Sequence, residues 1–254
     1  TYCCTPSGMF LGSINSNDAT RTAQLLRDAL AKWKTLDKKE RLLAEDPAKE
    51  RKNLERAEAR YPDDGLVLRM HSRDLERKSA QPQEEWAQKA HNVDYAWFRK
   101  EEISHFLPAE FAKKMTFQVP RETLARLARF HFADNVRGQT DAYPADAVES
   151  VELTGTVKDI KKGQVIIEYE GKVKLKDSRR TFEGFLRGTA AWDSRKLKFS
   201  QFELVAAGLR SGATQFNFRQ NDPGPAPIGF CAVLAGDKPS DKIAPAHFYG
   251  YGWR

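Results

Sequence analysis

Gln164-Val165-Ile166-Ile167-Glu168-Tyr169-Glu170-Gly171-Lys172-Val173-Lys174 reads with a period of two, the pattern of a strand with one face buried and one wet. Lys161-Lys162-Gly163 precedes it and Asp177-Ser178 follows, both turn-forming. The same grammar runs outward from there. After Tyr143-Pro144 it predicts strands over Val148–Val157, Gln164–Lys174, Phe182–Trp192, Leu197–Ala206 and Ile228–Leu234, broken at Asp193-Ser194-Arg195 and by the long Leu209–Pro227 stretch. Short strands at near-regular spacing with tight turns and no helices between them indicate an antiparallel meander. Its shape is open among a half-barrel, a sandwich sheet and a sheet wrapped on helices from the middle of the chain.

Towards the N-terminus the pattern changes. Residues 1–15 read as a hairpin, two β-prone runs around Pro6-Ser7-Gly8, followed by the helix-start residues Ser16-Asn17-Asp18. Thr22, Leu25, Leu26, Ala29, Leu30 and Trp33 then fall three and four apart, one stripe of a helix. From Lys34 to Arg60 the chain is charged and helix-prone, with a restart at Asp46-Pro47. Leu66 to His71 alternates well enough for one strand. Residues 76–113 read as helical pieces and loops around Trp86, Tyr95, Trp97 and Phe98, and a helix from Pro120 turns Leu124, Leu127, Ala128 and Phe130 or His131 inward before stopping near Gly138. The expected fold class is therefore α+β: a hairpin-helix element at 1–35, a mainly helical middle at 36–143 and an antiparallel β domain at 144–254.

Composition narrows the function classes. The 254 residues are 40% hydrophobic and 30% charged, with 42 basic against 35 acidic residues and a formal charge of +7. No apolar run approaches the roughly 18 residues of a membrane helix. The positive balance permits a polyanionic partner, but Asp37-Lys38-Lys39-Glu40-Arg41 and Lys49-Glu50-Arg51-Lys52 interleave acids with bases as a solvated helix face does. Nucleic acid is therefore not the expected partner. Three cysteines cannot all pair within one chain. A chain opening at Thr1 without Met reads as a processed product or a piece of something longer, which leans towards an exported protein.

Thr1-Tyr2-Cys3-Cys4-Thr5-Pro6-Ser7-Gly8-Met9-Phe10-Leu11-Gly12 and the Leu25/Leu26/Leu30/Trp33 helix resemble the C-terminal ββα portion of thioredoxin-like domains. The resemblance covers about an eighth of the chain. It implies a β-α-β unit before Thr1 carrying a Cys-x-x-Cys and a cis-proline; no Cys-x-x-Cys occurs here, so the family's oxidoreductase activity does not carry over. The arrangement also resembles uncharacterised exported bacterial proteins that fuse such a domain to a β-rich module.

Candidate chemistry is sparse. Cys3 and Cys4 on one strand point to opposite faces, leaving a strained vicinal disulfide, a soft-metal site or two unrelated thiols. His71, His91, His105, His131 and His247 form no His-x-x-x-His pair; Glu101-Glu102 with His105 places acids one helical turn from a histidine. His131-Phe132-Ala133-Asp134-Asn135-Val136-Arg137-Gly138 is denser. His131, Asp134, Asn135 and Arg137 could bind an anion or exchange protons. The same residues also suit a packed histidine, an Asn135 cap and an Arg137 pair with Asp134 or Asp141. The tail aromatics Phe248, Tyr249, Tyr251 and Trp253 pack on this chain or contact a partner. No motif indicates a cofactor or assigns a catalytic residue. The leading expectation is a non-catalytic binding or assembly module with a protein partner or a preceding segment. A thiol-redox or soft-metal protein using Cys3 and Cys4, and an enzyme with a site near His131, are the alternatives.

Overall fold

In the computed structural model the chain forms two compact units, residues 1–56 and 57–254, and the structure describes residues 1–42, 57–77 and 84–253. The restart expected at Asp46-Pro47 lies outside the described residues.

The first unit is a hairpin followed by a helix. Strands β1 (Tyr2–Cys4) and β2 (Phe10–Ser13) pair antiparallel around a turn in which Gly8 takes a φ of 87°. Helix α1 (Ala19–Thr35) starts where Asp18 accepts the amides of Thr20 and Arg21, satisfying two of the donors a helix start leaves open. A short helix α2 (Lys38–Arg41) follows. Leu11 and Ala29 are buried, while Leu26 and Leu30 are exposed.

The second unit is built on eight antiparallel strands: β3 (Leu66–Asp74), β4 (His91–Phe98), β5 (Thr116–Gln118), β6 (Val148–Lys161), β7 (Gln164–Lys176), β8 (Arg180–Asp193), β9 (Lys198–Gly212) and β10 (Ala226–Leu234). Their order across the sheet is β4-β3-β10-β9-β8-β7-β6-β5. Lys162 and Gly163, both at positive φ, form the two-residue turn between β6 and β7, whose twist suits a hairpin.

One face of the sheet carries the core. Helix α4 (Arg121–His131) lays Leu124, Leu127 and Ala128 against it, after the short helix α3 (Glu85–Lys89) and a 3₁₀ segment at Lys100–Phe106. Phe106 sits edge-on between Phe98 and Phe202, at 5.0 and 5.6 Å between ring centres. The Tyr169 hydroxyl, driven to a high pKa by burial, donates to the Phe106 carbonyl (2.6 Å). The opposite face of β7–β9 alternates Glu168, Glu170, Lys172 and Lys174 with buried residues, as expected where one face meets water. At its centre Phe185 is 78% exposed. No helix among the described residues is long and apolar enough to cross a membrane.

The expected helical middle is not there. Residues 91–98 form a strand where helical pieces and loops were expected, and β3, which contains the strand expected at Leu66 to His71, pairs with β10, more than a hundred residues later. The reason lies in β4: Ala96 and Phe98 face the core, whereas Tyr95 and Trp97 are buried on the other side with Phe130, Phe248 and Tyr251. A strand covered on both faces shows a continuous apolar run, and alternation disappears from it.

The strands approach closely at several glycines, Gly171 and Gly208 among them. A Cβ on Gly171 would stand 2.0 Å from the Glu152 carbonyl oxygen, and one on Gly208 2.0 Å from that of Glu183. Gly171→Ala is expected to lose about 1–3 kcal/mol in urea unfolding. Gly224→Ala, where nothing lies within 4 Å, should change stability by less than about 1 kcal/mol.

Candidate functional site

The end of β3, the exit of α4, β9 and the 213–225 loop converge on seven buried or half-buried charges. Arg219, with no exposed side-chain surface, forks onto two carboxylates. Its Nε and Nη2 donate to Asp134 (2.7 and 2.9 Å), and its Nη1 and Nη2 to Asp74 (2.9 and 2.8 Å). Arg137 donates to Asp74 (2.7 Å) and stands 3.1 Å from Asp222. Arg210 and Arg77 bind Asp222 from either side, at 2.6 and 2.8 Å. Planar guanidiniums suit this use because they stay charged and pair bidentately.

The electrostatics follow from the geometry. Burial alone would raise the Asp74 carboxyl, but Arg219 and Arg137 hold it below the usual range. Burial acts on Asp222 likewise and is outweighed by Arg77 and Arg210, which bring it to about 2. Arg219 loses to desolvation and gains more from Asp74 and Asp134, so its pKa is raised.

Shorter-range bonds fix the 213–225 loop beside this network. Asn217, buried, accepts the amides of Thr214 (2.9 Å) and Arg219 (3.3 Å) through its side-chain oxygen. The Gln139 amide donates to the Phe216 carbonyl (2.9 Å), and Gly138 lies so close that a Cβ there would meet that oxygen at 2.0 Å. Between the anchors Asn217 and Arg219, Phe218 is forced to a φ of 52°, a left-handed conformation costing a side-chain-bearing residue about 1–2 kcal/mol. Its ring points outward all the same. Phe216 and Phe218 are 59% and 57% exposed, and Trp86, 48% exposed, meets Phe218 edge-on at 5.9 Å.

The residues singled out by sequence divide between two networks. Asp134 and Arg137 belong to the one just described, with Arg137 paired to Asp74 and Asp222 rather than to Asp134 or Asp141. Asn135 braces the loop by accepting the Thr140 amide (2.7 Å). His131 turns the other way. Its Nδ1 lies 2.9 Å from Asp94 and its Nε2 2.6 Å from the Tyr251 hydroxyl, which also accepts the Trp97 amide (3.3 Å). Burial would raise Asp94, but the hydrogen bonds from His131 and from the Ala246 and Tyr95 amides hold it low. Both His131 nitrogens are thus engaged inside the fold.

Phe248 and Tyr251 are buried and Trp253 half-buried against Trp97, while Tyr249 stands out at 89% exposure. Cys3 is a half-buried and Cys4 an exposed free thiol. Glu102 pairs with Arg126 (2.6 Å) and His105 with the Thr123 hydroxyl (2.6 Å).

Phe216 and Phe218 escaped the sequence reading. Their only local signal is an aromatic pair inside Thr214-Gln215-Phe216-Asn217-Phe218-Arg219-Gln220-Asn221, where a long polar break carries apolar rings that no periodicity demands.

Removing one carboxylate from the network strands a buried guanidinium. Asp134→Ala is expected to lose about 3–5 kcal/mol in urea unfolding, far more than an exposed carboxylate such as Asp64. The network is also acid-labile. Asp74 and Asp222 titrate lower in the folded than in the unfolded chain, so their contribution is complete above about pH 4. It is lost as the pH falls from there towards the folded value of about 2 for Asp222. Near-ultraviolet circular dichroism should show that transition, and Asp222→Asn should reduce its amplitude in stability.

Compared with known proteins, the chain matches no family model, no curated protein and no solved structure.

Proposed function

We propose that the protein is a non-catalytic binding module that holds a protein partner through Trp86, Phe216 and Phe218. The observation that carries this reading is Phe218, an exposed ring kept in a left-handed backbone conformation by two buried neighbours, Asn217 and Arg219. Large exposed aromatics in a pre-organised loop are what interface centres are made of, because little conformational freedom remains to be lost on binding. A ring kept in strain while 57% exposed adds little to the core of the free protein. A nucleic-acid partner finds less here. The cations of the network that holds the loop, Arg137, Arg210 and Arg219, are buried and committed to carboxylates, so they do not reach phosphates.

The test compares capture of interacting proteins by the wild type, by the Phe216→Ser/Phe218→Gly double variant, and by Tyr249→Ser as a control ring elsewhere. Relief of left-handed strain offsets the unfolded-state entropy that glycine adds, so Phe218→Gly alone should leave stability within about 1 kcal/mol of wild type. The expected result is a protein retained by the wild type and by Tyr249→Ser and released by the double variant. Equal retention by all three, or no retained protein, would remove the reading.

A further inference from the structure

Outward-facing cations are treated differently on the two halves of the sheet. On β6–β8 four of them find a carboxylate across the strands: Lys158 with Glu168 at 2.9 Å, Lys172 with Glu152 at 3.8 Å, Lys174 with Glu149 at 3.0 Å, Arg187 with Glu170 at 2.9 Å. On β3 and β4 none does. Arg69 stands opposite Tyr95 and Val233, His71 opposite Val93 and Cys231, Arg73 opposite His91 and Gly229.

Among the described residues Arg69 and Arg73 make no ion pair. The Arg69 Nε is buried without a hydrogen-bond partner, and the Arg73 Nε reaches only the Asp74 carbonyl, at 3.4 Å. The nearby acids have other partners: Asp74 has Arg137 and Arg219, Asp94 has His131 and the Ala246 amide, and Asp241 accepts from the Tyr95 hydroxyl (3.2 Å). Glu203 lies beyond Val233, one strand further away. Arg69, His71 and Arg73 of β3 and His91 of β4 therefore share a strip in which, among the described residues, none of them makes an ion pair.

We infer that this strip, Arg69, His71 and Arg73 on β3 with His91 on β4, binds an extended acidic segment of another polypeptide. Side chains at alternate positions of a strand repeat at about 6.8 Å, and carboxylates at alternate positions of an extended peptide repeat at the same distance. The groups interleaved with the cations are the aliphatic Val93 and Val233, the Cys231 thiol and Gly229, which suit aliphatic side chains between the acids. The strip holds no exposed Phe, Tyr or Trp, since Tyr95 is buried. Bases of a single-stranded nucleic acid would find only imidazoles to stack on.

The probe is a fluorescein-labelled peptide of four glutamates alternating with three valines, titrated with the whole chain at low ionic strength and followed by anisotropy. Saturable binding that weakens with added salt is expected, with affinity reduced about fivefold by Arg69→Gln and by Arg73→Gln. The same peptide with Gln for Glu should not bind. Arg73 is exposed, so Arg73→Gln keeps the test alive should Arg69→Gln fail to fold. The inference fails if the acidic peptide does not bind, if the Gln peptide binds equally well, or if both arginine variants bind as the wild type does. Tighter binding of an oligo-dT carrying the same number of charges would also overturn it, in favour of nucleic acid.

Discussion

The Arg219 guanidinium, shared between Asp134 and Asp74, is the interaction on which the second unit's irregular half depends. It joins the end of β3, the exit of α4 and the 213–225 loop at one point out of water. Transferring such charges from water is costly, and their mutual attraction compensates only when the geometry saturates the donors. Two bidentate contacts on one guanidinium come close to that condition. The consequence is all-or-none behaviour in space: the loop is held where every partner is in register, and small displacements uncover charge. Regular hydrogen bonding organises the strands, and buried charge organises the segment that leaves them.

Helix α4 separates two such polar assemblies. His131, on its last turn, closes a chain from Asp94 to Tyr251 and the Trp97 amide, which pins the C-terminal aromatics over β4. Asp134, three residues on, serves the Arg219 network. The tail therefore does structural duty at β4, an edge strand of the sheet, where its Tyr251 occupies an otherwise open amide. Uncapped edges invite pairing with other chains, and a hydroxyl held by a buried histidine closes one such position. Only Tyr249 of the tail rings remains free for another molecule.

Legibility differed sharply between regions. The alternating stretches after Tyr143 read as antiparallel strands, and strands β6 to β10 lie there. Leu66 to His71 also read as a strand and lies in β3, whereas His91–Phe98 did not read as one, because β4 is buried on both faces. Asp134 and Arg137 stood out for their residue types, but their partners did not. Asp74 lies 63 positions before Arg137 and Arg219 lies 85 after Asp134, and no local spacing records such meetings. Phe216 and Phe218 carried still less signal, since an exposed ring leaves no period.

What the sequence determined by itself is the set of segments able to pleat with one wet face, the turns between them, and the surplus of positive charge. These are local properties: a two-residue alternation, a Gly at a turn and a count of side chains do not depend on where the chain goes next. The tertiary structure alone decided which edge β3 and β4 would join, which carboxylates each arginine would meet, and that His131 and Asp134 would serve opposite sides of one helix. Pairing energies of that kind arise only when distant groups lose water together, so they exist in the folded arrangement and have no counterpart in the order of residues along the chain.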